Sequence, residues 1–447
     1  MSHRCSGAPP ADVLRPGFDG DLSFLNGKTY LSTTNGAGHV QPDSGYFSIW
    51  RNEIDLTTGD SLTEPELFHV STLPLDTPRL AEGSHFYFVN GYYYLFTAEG
   101  GTDNAHREMV QRSKSMDGPW EQHPQNPILY NGRNSSASIQ RTGHADLVST
   151  PSGKWYLVFL GTRPQTANGE SPLGRETFMA PVTWKNDWPI VNDGNIITED
   201  MPGLYNLARP KKFRDNFRGK LADKAYYTPR TPYKAFHTFP KSGGVRLKGN
   251  PYTLSDRETP AVLLRKQVDL NTIFSTELTF DPRNNTRYEA GVTLFLSIHF
   301  HNEIAITAHP ETGKRTVVAK TRTGKTATLK TTYHEIPEAG AVRLYIKASS
   351  LKYQLGFAVG KAKVEWVAEV ESQWLQTYLE GWQVFTGTFF GIYTTGNGWP
   401  ILESSVSLDA IIRGFQLTGG RTSNTCRRSW YSSEQALWRQ YCKRIPD

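Results

Sequence analysis

The chain has 447 residues, enough for two or three independent cores. Its formal charge of +6 is spread thinly. The basic stretches at 209–212 and 314–330 carry no nucleic-acid motif and read as solvated faces, with an acidic polymer as the sharper alternative. No apolar run reaches the length of a membrane-spanning helix. Cys5, Cys426 and Cys442 lie near the ends, so neither a disulfide framework nor a metal-knuckle spacing runs through the body. Residues 1–17 lack the apolar core of a secretory signal, which leaves cytoplasmic and secreted locations both open. With 39 Gly, 27 Pro and 12% aromatic residues, the composition suits an all-β chain of short strands and turns.

In chain order, residues 18 to about 205 divide into three similar units. Each carries a two-residue turn followed by an aromatic strand: Asn26-Gly27-Lys28-Thr29-Tyr30-Leu31, Asn90-Gly91-Tyr92-Tyr93-Tyr94-Leu95 and Ser152-Gly153-Lys154-Trp155-Tyr156-Leu157. Tyr30 and Tyr94 are 64 residues apart, and Tyr94 and Tyr156 are 62 apart. Further strand-like runs follow, at 46–50 and 53–56, at 109–113 and at 177–181. Polar turns at 58–60, 117–119 and 185–187 are expected to close the units. Four strands at a fixed period describe a propeller blade. Unrelated hairpins in a sandwich are the rival reading, and they leave the even spacing unexplained. Three blades are too few for a ring of about four to eight. The expectation is therefore that one or two blades lie outside this chain or come from a partner.

Asp19, Glu82 and His144 precede Tyr30, Tyr94 and Tyr156 by 11, 12 and 12 residues. On superposed blades they occupy equivalent places on innermost strands and meet around the axis. Two carboxylates across a pocket are the minimum equipment for cleaving a glycosidic bond: one protonates the leaving oxygen, the other activates water or attacks carbon. Alone, Glu82 reads equally as a solvated strand-start residue, His144 as a satisfied core histidine and Arg175 as a surface ion-pair residue.

Ala81-Glu82-Gly83-Ser84-His85, Gly91 to Leu95 and Ala98-Glu99-Gly100-Gly101-Thr102 together resemble the general-acid blade of glycoside hydrolase family 43. That family comprises β-xylosidases and α-L-arabinofuranosidases built on five-bladed propellers. The resemblance implies that Glu82 is the proton donor. Phe18-Asp19-Gly20-Asp21-Leu22 resembles the strand whose Asp tunes that acid, with Asp19 in the role and Asp21 as the fallback. Gly143-His144-Ala145-Asp146-Leu147 is similar to the strand whose His lies at the pocket floor, and Gly174-Arg175-Glu176-Thr177-Phe178 to the segment whose Arg contacts sugar hydroxyls. No organic cofactor is implied and no metal ligand is assigned, although a structural metal ion near His144 is left open.

The resemblance continues past residue 213. Phe213-Arg214-Asp215-Asn216-Phe217, Glu289-Ala290-Gly291-Val292, Tyr353 to Phe357 and Phe385 to Gly391 look like the concanavalin-like β-sandwich of the β-xylosidase branch. There an aromatic residue from the sandwich closes the pocket. Phe385, Phe389 and Phe390 are the candidates, with Phe390 taken as the substrate-binding one; a strand running through 383–393 would make them core residues instead.

The expected organisation is thus a short lead (1–17), a partial propeller (18–205), a linker (206–212), a β-sandwich (213–420) and an irregular tail (421–447). The implied function is hydrolysis, with inversion, of O-glycosyl bonds in xylose- or arabinose-containing oligosaccharides. The partner is a small oligosaccharide, with no nucleic acid and no membrane; oligomeric state stays open. One departure matters: the family's general base, an Asp in a Pro-Asp-Pro-type motif, has no counterpart. Asp12 precedes the first unit, but in a different setting. The alternative function is a non-catalytic carbohydrate-binding remnant.

Overall fold

A computed structural model describes residues 17–25, 27–36, 47–165, 171–201, 212–221, 224–376, 385–399 and 409–419. Asp12, the 206–211 part of the expected linker and the 421–447 tail lie outside them. The described residues contain strands and three short 3-10 turns but no α-helix. No helix among them is long and apolar enough to cross a membrane.

The first part holds three four-stranded antiparallel sheets. The first contains β1 (Phe18–Leu25), β2 (Lys28–Gly36), β3 (Phe47–Glu53) and β4 (Glu66–Val70). The second contains β5 (Ala81–Val89), β6 (Tyr92–Glu99), β7 (Arg107–Ser113) and β8 (Glu121–Gln122). The third contains β9 (Gln140–Ser149), β10 (Trp155–Thr162), β11 (Glu176–Lys185) and β12 (Trp188–Val191). In each, neighbours in sequence are neighbours in the sheet, the up-and-down order of a propeller blade.

The anatomy differs from expectation in two respects. The runs at 46–50 and 53–56 are not two strands: β3 continues through Glu53. The polar turns lie inside the blades, between third and fourth strands, and do not close them. The outermost strand comes after the turn and is short; in β8 both residues are exposed, whereas β12 buries Trp188 and Val191. A solvent-facing edge needs no apolar face, so sequence pattern passes over it.

Blades two and three share a core of Tyr94 and Phe96 from β6, Leu147 from β9, Leu157 and Phe159 from β10 and Trp188 from β12. Complete burial of each such side chain is worth about 1.5–3 kcal/mol. The Tyr94 hydroxyl donates to the Asp187 carbonyl in the third–fourth strand turn of the next blade. On the first blade, Ser23 and Leu25 of β1 are buried while Leu22 and Phe24 are exposed. They form an apolar stripe with no partner among the described residues.

The second part is two stacked sheets. One has six strands in the order Ala261–Lys266, Phe389–Thr395, Glu289–Phe295, His301–Ala308, Arg315–Thr323, Thr328–Glu335. The other is built on Asp409–Gly419, Thr272–Thr279, Val342–Ala348, Lys352–Val359 and Glu365–Glu371, extended by shorter strands that include Lys212–Asp215. Phe274, Phe390, Phe415, Leu344 and Ile304 fill the space between them.

The two parts meet at a tight backbone contact. The Arg175 N–H donates to the Phe385 carbonyl at 2.9 Å, and the Thr388 N–H to the Pro172 carbonyl at 2.8 Å. Gly387 has φ 71, and a Cβ there would sit 2.3 Å from the Leu173 carbonyl. Only glycine lets these chains approach so closely.

Candidate active site

Asp19, Glu82 and His144 lie on β1, β5 and β9, the innermost strands of successive blades, and each strand is irregular at that point. Opposite Thr33, β1 places two residues, Asp19 and Gly20. Opposite Thr97, β5 places Gly83 and Ser84. Opposite Phe159, β9 places His144 and Ala145. Two residues facing one is a β-bulge, which re-aims side chains. The left-handed residue of each bulge is Asp19 (φ 48), Gly83 (φ 54) or His144 (φ 55). At Gly83 the conformation and the space both demand glycine: a Cβ would lie 2.9 Å from Cε1 and Nε2 of His144. A glycine within or next to each bulge (Gly20, Gly83, Gly143) is its sequence signal.

Hydrogen bonds stitch the bulges together across blades. Gly83 N–H donates to Thr34 Oγ1 at 3.3 Å and Ser84 Oγ to Ser32 Oγ at 2.9 Å. Ala145 N–H donates to Glu108 Oε2 at 3.0 Å, and Leu147 N–H to the Tyr87 hydroxyl at 2.9 Å. Burial raises the Glu108 carboxyl well above the carboxylate range.

The electrostatics single out Glu82. Burial pushes Glu82 up to about 7, the Asp19 charge adds to the rise, and Arg175 opposes it. A carboxyl group held protonated by burial beside a second carboxyl is the arrangement from which a general acid is assigned. Asp19 Oδ2 also lies 3.9 Å from His144 Nδ1, and burial lowers the His144 pKa against the pull of Asp19. One step further along the strands, His85 sits between Asp21 of β1 and Asp146 of β9, 3.5 Å from each. Burial works to lower the His85 pKa, but these two carboxylates override it and the pKa rises. His85 and Asp146 are not among the residues that the motifs singled out. Both lie just past a bulge on strands that the motifs already mark, where the regular alternation of faces is interrupted. Among the described residues no three His, Cys, Asp or Glu side chains are grouped to hold a metal ion.

Arg175 reaches this site from the third blade and is covered by the sandwich. Its guanidinium carbon lies 3.9 Å from the centroid of the Phe385 ring, and Nη2 is buried with no hydrogen-bond partner. An unpaired buried donor beside two carboxyl groups is equipment for a hydroxyl-bearing ligand.

Phe390 does not line the site. It is fully buried between the two sheets, 5.5 Å from the Phe274 ring. The strand that carries it begins only at Phe389, and residues 385–388 form the connection that crosses to the propeller. Alternation then sends Phe390 and Ile392 inward to the core, whereas Phe385, 46% exposed, stands over Arg175. The two residues separate by experiment. Phe390→Ala is expected to destabilise the chain by about 3–5 kcal/mol, read as a lowered thermal midpoint. Phe385→Ala is expected to change stability by less than about 1 kcal/mol and to raise KM, read by steady-state kinetics.

A three-bladed propeller segment joined to a β-sandwich, with a neutral-poised acid beside a second carboxylate, defines a glycosidase-type protein. Residues 8–189 match the family described as Glycosyl hydrolases family 43, and residues 214–400 match the Beta xylosidase C-terminal Concanavalin A-like domain. The chain belongs to glycoside hydrolase family 43. It is 32% identical over 393 residues to the non-reducing end alpha-L-arabinofuranosidase BoGH43B of Bacteroides ovatus, covering 85% of this chain and 69% of that protein. It is 32% identical over 318 residues to a xylan 1,3-beta-xylosidase of a Vibrio species, covering 67% of this chain and 58% of the relative. Among solved structures, the Bacteroides ovatus xyloglucan PUL GH43B superposes with a TM-score of 0.77 at 29% identity, covering 92% of this chain and 78% of the other. A xylan beta-1,4-xylosidase from Bacillus halodurans gives 0.75 at 25% identity, covering 90% and 76%. These relatives bear out the expectation of a family-43 propeller followed by a concanavalin-like sandwich.

Proposed function

We propose that this site hydrolyses, with inversion, a terminal β-xylosyl or α-arabinofuranosyl group from a small oligosaccharide. The observation that carries the reading is the Glu82 carboxyl, pushed up to about 7 by burial and by Asp19. In neutral solution a large share of it holds the proton that the leaving glycosidic oxygen needs. Asp19 stays close as the charge that keeps that proton in place. Arg175 offers an unsatisfied donor to a sugar hydroxyl, and the exposed Phe385 ring walls the pocket from the sandwich side. The names of the relatives, an arabinofuranosidase and xylosidases, support the same substrate class.

A second reading, carbohydrate binding without turnover, is favoured by a specific feature. Four carboxylates lie on the innermost strands. Glu82 and Asp19 are the acid and its tuner, while Asp21 and Asp146 both flank His85. None of these four is left to activate water, and Asp12 lies outside the described residues. The test is hydrolysis of 4-nitrophenyl β-D-xylopyranoside and 4-nitrophenyl α-L-arabinofuranoside by the purified chain. Release of 4-nitrophenol that disappears in Asp12→Ala and is lowered in Glu82→Gln establishes the enzyme and its base. A folded chain that releases no 4-nitrophenol but binds xylose, and loses one bound sugar per chain on Arg175→Ala, establishes the binding reading.

A further inference from the structure

On the six-stranded sheet, Val292, Leu294, Ile304, Ile306 and Val317 face the other sheet. The residues one step out of phase point away from it. Val262, Leu264, Ala305 and Val318 form a small apolar cluster of their own on that outer side. Beside them the same face turns abruptly ionic. Glu289 accepts from Lys320 Nζ and from the Tyr393 hydroxyl, each at 2.5 Å. Glu303 accepts from Arg322 at 2.6 Å and lies 3.2 Å from His301 Nε2. These six side chains line one cavity of about 130 Å³, bounded further by Leu254 and Leu329. None of its lining residues belongs to the propeller or to the connection that carries Phe385.

Stability does not explain this arrangement. Buried ion pairs are often no better than apolar residues of similar volume, and the neighbouring part of the same face is already apolar. Glu303 is buried, yet His301 and Arg322 hold its carboxyl down to about 2. The charges cancel in pairs, so the cavity selects neither an anion nor a cation. What suits a carboxylate beside an ammonium or a guanidinium is a hydroxyl group, which donates to one and accepts from the other. Lys320 spends one of its three donors on Glu289. The Leu254 and Leu329 side chains and the Tyr393 ring supply an apolar surface for the C–H face of a ring. The volume lies below the roughly 300–1,000 Å³ of pockets for larger ligands, which fits one ring and not a chain of them.

We propose that this cavity of the β-sandwich is a second carbohydrate site, separate from the Glu82 site, that holds one neutral sugar ring between the Glu289–Lys320 and Glu303–Arg322 pairs. The proposal does not rest on hydrolysis, because the test reads binding in a chain whose first site is disabled. D-xylose and L-arabinose are titrated by calorimetry into the full chain carrying Arg175→Ala. About one sugar per chain is expected to bind, and at least tenfold more weakly once Glu303→Leu and Arg322→Met are added, with a thermal midpoint unchanged or raised. Leu329→Asp at the exposed rim, where folding is not at stake, is expected to weaken binding by a similar factor. Absence of binding by both sugars at roughly tens of millimolar, or binding that survives the double variant or Leu329→Asp unchanged, overturns the site.

Discussion

Replacing Glu82 by Gln is expected to lower kcat on xylobiose by about 10³-fold, within the range for removing a general acid. The substitution keeps shape and polarity but removes the transferable proton. On a 4-nitrophenyl glycoside the loss should be smaller, because that leaving group departs readily as an anion. A uniform loss on both substrates would point instead to a collapsed site. The pH dependence has a definite sign. As the proposed acid Glu82 works protonated, so activity is expected to fall as pH rises through about 7. Stability is linked to the same group. Its folded pKa stands above the ordinary 4.5, so its favourable contribution is complete below about 4.5 and is lost as pH rises to about 7. Glu82→Gln removes the charge that is costly above that window. The variant should melt no lower than the native chain at pH 8 while having lost its turnover, a combination that misfolding does not produce.

Replacing Asp19 by Asn should lower kcat near neutral pH by about 10–100-fold and move the alkaline limb of the pH profile to lower pH. Burial is the larger cause of the Glu82 shift and Asp19 the next, so the limb should move without returning to an ordinary carboxylate value. Arg175→Met supplies the control of opposite sign. Arg175 lowers the Glu82 pKa, so its removal should carry the alkaline limb upward while KM rises. A pH–rate profile of the three proteins is the measurement. Limbs that do not separate in these directions would mean that the charges at 19 and 175 do not reach Glu82.

Much of this site is legible in the amino-acid sequence. The even spacing of Asp19, Glu82 and His144 ahead of three similar hairpins puts them on equivalent strands, because a repeating blade repeats its positions around one axis. Other features escape for identifiable reasons. The fourth strands are short, five, two and four residues, and β8 is wholly exposed, so the polar turns before them resemble blade ends. His85 belongs to the site only because β1 and β9 bring Asp21 and Asp146 to either side of it, from 64 residues before and 61 after. Phe385 and Phe390 are equally aromatic and five residues apart. Only the point at which the strand begins sends one over Arg175 and the other into the core.

By itself, the sequence determined the all-β character and the equivalent placement of Asp19, Glu82 and His144, since periodicity and turn chemistry are local and survive in one dimension; the β-sandwich and Arg175 were implied by the family resemblance. The tertiary structure decided what those residues experience. The burial and the opposing charges that bring Glu82 to about 7 come from β1, β5 and the segment around Arg175. A proton affinity depends on desolvation and on charges across space, and neither is a property of a residue's neighbours in the chain.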